Sequence, residues 1–328
     1  MVDAVVIVVR HPKTVIQMKI VALAGGVGGA KLAHGLAQLL KPEELTIIVN
    51  TGDDFEHYGL YICPDLDTVC YTLAGIANPE TGWGRVNETW NAIENISKLG
   101  GLDWFRLGDQ DLGTHLERTR RLKEGQSLSE ITRDFCKAWG IEHTVLPMSD
   151  QPMRTIIETD EGELAFQEYF VHRRCEPRVK GFRFEGADKA EPAPGAREAI
   201  QSADAIVICP SNPWVSVDPI LEVLHPLLKG EGLGVRSVAV SPIIGGKTVK
   251  GPAAKMYREI GIEPSALAVA NHYRGLVTHF VMDTIDAQLI ESVRGLNMQT
   301  YVTNTVMKSH EDRKRLANDL LNFIGSDL

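Results

Sequence analysis

Four aspartates lie within one short stretch of the chain, residues 50–68: Asp53, Asp54, Asp65 and Asp67. A strand is predicted over 45–50, directly before them, and a helix over 67–74. In open α/β sheets, ligands bind beyond the carboxyl ends of the strands, and carboxylates from two turns there can hold a hard cation such as Mg²⁺. The alternative is structural: Asp65 or Asp67 caps the helix, because Asp is a preferred N-cap residue.

A glycine-rich turn follows the first predicted strand, 19–24, and precedes a helix predicted over 30–40. Its glycines are Gly25, Gly26, Gly28 and Gly29. Such a turn brings backbone N–H groups close to a phosphate and directs the positive end of the helix at it. The dinucleotide pattern fails because Lys31 stands where its last glycine belongs, and the Walker A pattern fails because Leu32 follows that lysine. The turn therefore predicts phosphate binding of neither standard kind, or else glycines needed only for helix–strand packing.

Two further loops, rich in proline, glycine and serine, follow strands predicted over 205–209 and 237–240. They carry Ser211, Asn212 and Ser241. Because these loops and the glycine turn all follow strand ends, we expect them to form one composite crevice. The alternation of strands and helices predicts an α/β fold with a mostly parallel sheet and helices on both faces. Short strands over 267–270 and 278–282 and a helix over 311–323 are expected near the end of the chain.

The middle of the chain predicts a helical and β-hairpin insertion. A capping box from Ser127 to Glu130 opens one helix, and a hairpin is expected over 154–170. Three arginines are expected on a solvated helix face: Arg118, Arg120 and Arg121. The tryptophans in GWGRVNETW, Trp83 and Trp90, either stack on a flat ligand or belong to the core.

These elements divide the chain into three parts. Residues 18–75 and 196–328 are expected to form the core of a single domain. Residues 76–195 are expected to form the insertion, on the acceptor side of the cleft. Residues 1–17 are expected to be an N-terminal extension that contributes little to the fold.

The composition excludes several classes of protein. The 328 residues carry a net charge of −9 without a long basic run, so neither nucleic acid nor an anionic membrane is an expected partner. The five cysteines form no C-x-x-C pair, which argues against a zinc site or a disulfide framework. A reduced cytoplasm is the expected compartment. The apolar stretch 4–9 is too short to span a bilayer.

Six segments together resemble the 2-phospho-L-lactate transferase family, whose members assemble the deazaflavin hydride carrier coenzyme F-420. In chain order they are AGGVGGAKL (24–32), NTGDDFEHYGLYICPDLDT (50–68), GWGRVNETW (82–90), LGDQDLGTH (107–115), PSNPWVSVDPI (210–220) and SPIIGGKTVKGPA (241–253). The resemblance covers nearly everything after Met18. The GDD, GWG and NETW segments are more similar to bacterial members than to methanogen ones.

This resemblance implies a magnesium-dependent transferase on a Rossmann-like sheet, and a homodimer. A guanosine diphosphate carrying a three-carbon acid, either phospholactate or phosphoenolpyruvate, would donate its acid-bearing phosphoryl group. The acceptor would be the terminal ribityl hydroxyl of the deazariboflavin Fo, and GMP would leave. The glycine turn would donate hydrogen bonds to the diphosphate, and the second set of loops would hold guanosine through Ser211, Asn212 and Ser241.

The resemblance also implies roles for individual side chains. Asp67 and Arg106 fall at positions that contact Fo in the family, and Trp83 is a further candidate for that contact. Asp54 and Asp67 would be the catalytic, metal-binding pair, with Asp53 as an additional ligand. Asp67 or a neighbour would accept the hydroxyl proton, although ligation of a metal would compete for the same lone pairs.

Two other functions fit parts of the sequence. A related group of nucleotide-sugar-binding regulators shares the glycine turn and an acidic second loop but catalyses no reaction. The PDLDT sequence and the aromatic segment 82–90 favour the enzyme. A nicotinamide-dependent dehydrogenase is less compatible, because it needs one acid after the second strand for the ribose hydroxyl and this chain has four.

Overall fold

The computed structural model describes residues 18–227, 233 and 235–326, so the predicted extension over 1–17 lies outside them. Fourteen strands run through this part of the chain: β1 Ile20–Ala24, β2 Leu45–Val49, β3 Phe55–His57, β4 Leu60–Ile62, β5 Thr144–Pro147, β6 Arg154–Thr159, β7 Gly162–Ala165, β8 Val179–Glu185, β9 Ala205–Ile208, β10 Arg236–Val240, β11 Ile243–Ile244, β12 Lys247–Thr248, β13 His279–Asp283 and β14 Gln299–Thr303.

Eleven α-helices accompany them within the same residues. They are α1 Gly26–Ala37, α2 Pro64–Leu73, α3 Asn91–Lys98, α4 Asp109–Lys123, α5 Leu128–Ala138, α6 Ala196–Ser202, α7 Asp218–Leu224, α8 Ala253–Glu259, α9 Ala266–His272, α10 Ile290–Arg294 and α11 His310–Gly325. None of these helices is long and apolar enough to cross a membrane.

Seven strands form the central sheet, in the order β14-β13-β10-β9-β1-β2-β5. Every neighbouring pair is parallel, from β1 with β2 and β9 outwards to the two edges. The helices between the strands make these parallel connections possible. The predicted α/β fold with a parallel sheet is therefore confirmed.

Side chains alternate between two hydrophobic cores, one on each face of this sheet. In β1, Val21 and Leu23 join one core, whereas Ile20, Ala22 and Ala24 join the other. Because a parallel strand covered on both faces buries every side chain, β1 reads as a continuous apolar run. Helices α1, α2, α5 and α11 contribute to one core, and α6 to α10 contribute to the other.

A second, three-stranded antiparallel sheet packs against the α6–α10 side, in the order β7-β6-β8. Its β6–β7 hairpin was predicted, but β8 was not, because its sequence VKGFRFE follows a basic stretch that resembles a loop. The chain after β7 turns into a short helical segment, Glu168–His172, instead of continuing as a strand.

The predicted capping box is present: the Ser127 side chain accepts from the Glu130 N–H at the start of α5.

Two expectations about the elements were wrong in physically clear ways. Residues 267–270 belong to a helix, α9, because Ser265 caps it by accepting a hydrogen bond from the Ala268 N–H. Helix α1 begins at Gly26, inside the glycine turn, and not at residue 30. The predicted insertion 76–195 includes β5, which pairs with β2 at the edge of the central sheet.

The packing of α1 against α11 gives a test of the fold. An ideal Cβ at Gly35 would lie 2.2 Å from the carbonyl oxygen of Arg313, whereas one at Gly113, on exposed α4, would meet nothing within 4 Å. We expect Gly35→Ala to lower the free energy of unfolding by ~1–3 kcal/mol, because overpacking must move one helix. We expect Gly113→Ala to leave it unchanged or to raise it by up to ~1 kcal/mol. Urea unfolding of both variants measures this; equal stabilities would contradict the packing.

Candidate active site

A cavity of about 730 Å³ opens beyond the carboxyl ends of the central strands. Its walls come from the glycine turn after β1, the acidic loop after β2, the loops after β9 and β10, and the insertion. The crevice expected from the sequence therefore exists as one space. Most of the predicted site residues line it: Gly25, Gly26, Gly28, Asp53, Asp67, Trp83, Arg106, Ser211, Asn212 and Ser241.

Two predicted site residues lie behind the cavity wall. Gly29 packs inside, where an ideal Cβ would lie 2.7 Å from the Ser211 hydroxyl, so its role is packing. Asp54 is 1% exposed and is not among the lining residues. For Gly29 the packing alternative is thus the one that the contacts favour.

The glycine turn is built for close backbone approach. An ideal Cβ at Gly28 would lie 2.2 Å from the carbonyl oxygen of Pro210, and Gly26 has a φ of 61°, which an L side chain rarely adopts. The Ser211 hydroxyl ties the turn to the loop after β9, since it donates to the Gly25 carbonyl at 2.8 Å. Helix α1 starts here, and the residues of its first turn, Gly26 to Gly28, line the cavity. The Gly25 N–H donates to Ser211 Oγ at 3.2 Å, and the Gly26 N–H donates to the Asp65 carboxylate, so two of the groups at this helix start already have partners.

Neither Asp65 nor Asp67 caps α2. The N-cap position is Cys63, which makes no side-chain capping hydrogen bond, and the two aspartates lie in the first turn of the helix. Instead, Asp65 accepts a hydrogen bond from the Asn50 amide at 2.9 Å. Asn50 also accepts from the Gly52 N–H, so it fixes the acidic loop against α2. The structural alternative of helix capping is therefore excluded for both aspartates.

Burial raises the pKa values of the acids around this loop. It raises the pKa of Asp53 well above its usual range, and the neighbouring charges of Asp65 and Asp54 add to the rise. It raises the pKa of Asp54 to about 8, although the Cys63 thiol and two arginines oppose the rise. It raises the pKa of Asp65 to about 6 against the Asn50 hydrogen bond.

Three buried carboxylate oxygens here accept no hydrogen bond from a nitrogen or hydroxyl donor among the described residues: Oδ1 of Asp53 and both Oδ atoms of Asp54. The Cys63 thiol is a weak donor beside Asp54. Unpaired buried carboxylates are costly unless a cation or a proton neutralises them. Hard oxygen donors of this kind are the ligands that Mg²⁺ takes in proteins. The oxygens of Asp53 and Asp54 are therefore of the chemical type that the predicted divalent cation would take, although among the described residues it is Asp67, Asp111 and His115 that bring three ligand atoms within 4.8 Å of one another.

Asp67 has a different environment, because a buried guanidinium neutralises it. Arg118 on α4 is 2% exposed, and both oxygens of Asp67 accept from it, Oδ1 from Nη2 and Oδ2 from Nη1 at 3.1 Å. The expectation that Arg118 decorates a solvated helix face was wrong. Charge-assisted pairs with two parallel bonds are strong and directional, so Arg118 sets the orientation of Asp67.

Two more side chains of α4 complete this group. His115 Nδ1 lies 3.2 Å from Arg118 Nη1 and must accept from it, which leaves the ring proton on Nε2, 3.6 Å from Asp111 Oδ1. Asp111 also accepts from the Tyr71 hydroxyl at 2.6 Å. Burial pushes the pKa of Asp111 upwards, but its hydrogen bonds and the nearby positive charges together lower it.

Asp67, Asp111 and His115 could also ligate a metal, since one atom of each lies within 4.8 Å of the others. Arg118 already supplies a positive charge at this place. A second cation would be repelled by it. Arg118 also acts on Asp54, so this repulsion does not separate the two candidates, and the placing of the metal at the acids after β2 stays a prediction.

The insertion forms an aromatic wall of the cavity. Trp83 is 50% exposed, and the Arg106 guanidinium lies over the Trp90 ring, 4.5 Å from its centroid. Phe105, Phe166 and Phe170 line the same space. An indole that is half exposed at the cavity does not belong to the core, so stacking on a flat ligand stays a prediction for Trp83.

The sequence analysis missed Asp111, His115 and Arg118 as site residues. They follow one another at spacings of four and three, which places them on one face of a helix. Their periodicity was visible in LGDQDLGTHLER, but charged residues at such spacing usually face solvent. Only their packing against α2 shows that this face points inwards.

Comparison with known proteins adds to this geometry. The family described as 2-phospho-L-lactate transferase CofD has a model that matches residues 20–328. The chain belongs to this family. It is accordingly a transferase, and the resemblance found in the six sequence segments is confirmed.

Two relatives are similar over more than nine-tenths of the chain. A phosphoenolpyruvate transferase of Streptomyces avermitilis is 41% identical over 310 residues, covering 93% of this chain and 97% of that protein. A 2-phospho-L-lactate transferase of Methanopyrus kandleri is 38% identical over 314 residues, covering 94% and 98%. A crystal structure of a UPF0052 family protein from Bacillus halodurans aligns with a TM-score of 0.59 at 16% identity, covering 93% and 98%, which shows the shared fold alone.

The buried ion pair predicts a large effect of a small substitution. Asp67→Asn leaves the Arg118 charge buried without a full partner, and we expect it to lower the free energy of unfolding by ~3–5 kcal/mol. The control is Asp134→Asn, which removes the partner of Arg121 at a half-exposed position and should cost less than ~1 kcal/mol. Denaturant unfolding measures both. A loss for Asp67→Asn no larger than the control's would contradict the role of the pair.

The acidic loop predicts a pH dependence. Because the folded protein holds protons on Asp54 and Asp65 up to pH about 8 and about 6, it binds more protons than the unfolded chain above pH ~4. Its free energy of unfolding should therefore decrease between pH 5 and pH 8 when metal is absent. Mg²⁺ should raise it more at pH 8 than at pH 5.

Thermal unfolding at both pH values, with Mg²⁺ or EDTA, checks this expectation. Asp54→Asn should flatten the pH dependence, whereas Asp134→Asn should not. A stability that rises towards pH 8 without metal would show that these acids are ionised in the folded protein.

Proposed function

We propose that this transferase moves a phospho-three-carbon-acid group, 2-phospholactate or phosphoenolpyruvate, from its guanosine diphosphate derivative to the terminal ribityl hydroxyl of Fo. GMP is released, and the product belongs to the assembly of coenzyme F-420. The observation that carries the proposal is one cavity in which buried acids, a helix start and an aromatic wall meet. The names of the similar proteins, phosphoenolpyruvate transferase and 2-phospho-L-lactate transferase, support the choice of transferred group.

The reaction balances as a displacement at phosphorus. The acceptor hydroxyl oxygen attacks the phosphorus that bears the acid, and the bond from this phosphorus to the bridging oxygen breaks. GMP leaves with the electron pair of that bond, and the hydroxyl proton passes to a base. Such transfers depend on positioning and charge neutralisation more than on covalent catalysis.

The substrate that gives up the phospho-acid group is assigned to the glycine turn and the neighbouring loops. The glycine turn, Gly25 to Gly28, would bind the diphosphate through the N–H groups of Val27 and Gly28, since those of Gly25 and Gly26 donate to Ser211 and Asp65. The loops after β9 and β10 would hold guanosine through residues that line the same cavity: Ser211, Asn212 and Ser241.

The acids after β2 would hold Mg²⁺, which when bound supplies positive charge to the transferring phosphate. The unpartnered oxygens of Asp53 and Asp54 support their assignment as ligands. Asp67 is proposed as the catalytic carboxylate at the acceptor end, next to the Fo hydroxyl. If Asp67 also ligates the ion, it would do so through the lone pairs that its two bonds to Arg118 leave free.

Fo is assigned to the aromatic wall, where Trp83 and Arg106 line the cavity beside Phe105. This wall comes from the insertion 76–195, which supports its proposed place on the acceptor side. The homodimer implied by the resemblance and the cytoplasmic location expected from the cysteines stay predictions.

One incubation series tests the function. The protein is mixed with Mg²⁺, Fo and a guanosine diphosphate derivative of 2-phospholactate, phosphoenolpyruvate or phosphoglycerate in turn, and products are identified by mass. We expect one donor to give Fo enlarged by its phospho-acid, with one GMP per product. Asp53→Asn should lower the rate at least ~100-fold, because a buried charged contact to the reaction centre is lost, whereas Asp188→Asn, at an exposed position, should not change it.

Two outcomes would contradict the proposed function. If no donor yields GMP or enlarged Fo, while a UDP-sugar binds and is not converted, the chain acts as a nucleotide-sugar-binding regulator. Protection from thermal unfolding by NAD but not by GDP would instead favour a dehydrogenase.

A further inference from the structure

An aspartate and a histidine of α4, Asp111 and His115, line the cavity one helical turn apart. Each is held by a buried group behind it. One oxygen of Asp111 accepts from the Tyr71 hydroxyl at 2.6 Å, and Arg118 Nη1 lies 3.2 Å from His115 Nδ1, to which it donates. Tyr71 and Arg118 are themselves buried. The two side chains are therefore fixed before any ligand enters.

The remaining polar atoms of this pair have no partner of their own. His115 is 2% exposed, yet its Nε2 forms no hydrogen bond with the described residues, because the nearest acceptor, Asp111 Oδ1, lies 3.6 Å away. Within the same residues, Asp111 Oδ2 accepts no hydrogen bond either, since Tyr71 donates to Oδ1. A buried N–H without a partner costs free energy. This donor therefore indicates a group that the cavity receives.

The protonation of His115 determines which group that is. Because Arg118 donates to Nδ1, Nε2 carries the ring proton and offers a donor instead of a lone pair for a metal. The Asp111 carboxylate beside it offers an acceptor. A hydroxyl can accept one hydrogen bond and donate another, so it satisfies both atoms at once. A phosphate or a carboxylate would accept from His115 but would be repelled by Asp111. The pair is therefore suited to a hydroxyl.

The pair lies next to Asp67, the carboxylate proposed for the acceptor end of the cavity. One side-chain oxygen or nitrogen of each of the three residues lies within 4.8 Å of the others. The start of α4 is fixed at this place, because the Glu88 carboxylate accepts from the Asp111 N–H at 2.7 Å. An acceptor that places its reacting hydroxyl at Asp67 would therefore bring its next hydroxyl within reach of Asp111 and His115.

We infer that Asp111 and His115 hold a second hydroxyl of the acceptor, beside the one that reacts, and so select an acceptor with a polyol side chain. The inference rests on the proposed function, which supplies the ribityl chain of Fo as that polyol. Buried polar groups that hold a hydroxyl are selective, because an analogue without it leaves them unpaired. No bond to the held hydroxyl is made or broken. The two side chains determine specificity.

Binding of two acceptors tests this recognition without the reaction. Fluorescence titration, in EDTA, compares Fo with an analogue that carries a 5-hydroxypentyl chain, which keeps the terminal hydroxyl and lacks the others. We expect the protein to bind Fo at least ~10-fold more tightly than the analogue. Asp111→Asn and His115→Asn should each weaken Fo binding about tenfold and leave binding of the analogue unchanged.

Two further variants separate recognition from damage to the fold. His115→Asn keeps an oxygen that can accept from Arg118, whereas His115→Gln restores an N–H donor near the position of Nε2 and should recover part of the affinity for Fo. Glu117→Gln is the matched control, because it removes a carboxylate from the exposed face of the same helix. It should bind both acceptors as the unaltered protein does. Thermal unfolding confirms that each variant folds.

Equal binding of Fo and the analogue by the unaltered protein would overturn the inference. So would equal losses for both acceptors in Asp111→Asn and His115→Asn. Discrimination that appears only when Mg²⁺ replaces EDTA would assign these side chains to a cation instead. If the variants lose Fo selectively but no guanosine diphosphate derivative gives transfer, the hydroxyl site stands and the proposed function fails. If transfer occurs and the variants treat both acceptors alike, the function stands and the inference fails. Absence of Fo binding would contradict both.

Discussion

The burial of Asp53, Asp54 and Asp65 beyond the end of β2 is the constraint on which the rest of the site depends. Removal from water disfavours the charged form of each carboxyl, and neighbouring carboxylates add to the effect for Asp53. The consequence is visible in Asp54, whose pKa rises to about 8. Proteins keep such unfavourable groups mainly at functional sites. A bound divalent cation would remove the repulsion and leave the carboxylates ionised near neutral pH.

The surrounding fold holds this charge in place through a few specific contacts. Asn50 joins the acidic loop to Asp65 on α2, and Gly28 lets the start of α1 approach the loop after β9. On the other side of the loop, Arg118 pairs with Asp67 and neutralises its charge. Asp67 therefore has a different electrostatic environment from Asp53, Asp54 and Asp65. The cavity consequently has an acidic side at the end of β2, a cationic side at Lys31 and Lys250, and an aromatic wall near Trp83. This arrangement suits a negatively charged donor that must meet a flat acceptor.

The sequence predicted the parts of the fold that depend on local pattern. Apolar runs identified the buried strands, the Ser127 capping box identified the start of α5, and glycines next to a strand identified the turn at α1. Prediction from the sequence failed where long-range packing decides whether a residue is buried or which element it forms. Arg118 is buried because α4 turns one face towards α2, and Asp54 lies behind the cavity because its loop continues into β3. The apolar stretch 267–270 read as a strand, yet Ser265 and its place between β12 and β13 make it a helix.

The most direct test is the position of the metal in a crystal grown with Mg²⁺ and GDP. We predict the ion about 2.0–2.1 Å from a carboxylate oxygen of Asp53, with Asp54 or Asp65 turned towards it and a phosphate oxygen completing its shell. An ion bound elsewhere, with these three aspartates hydrogen-bonded only to protein groups, would contradict the account. In that case the buried acids would serve the fold, and the charge on the phosphate would have to be neutralised by other residues.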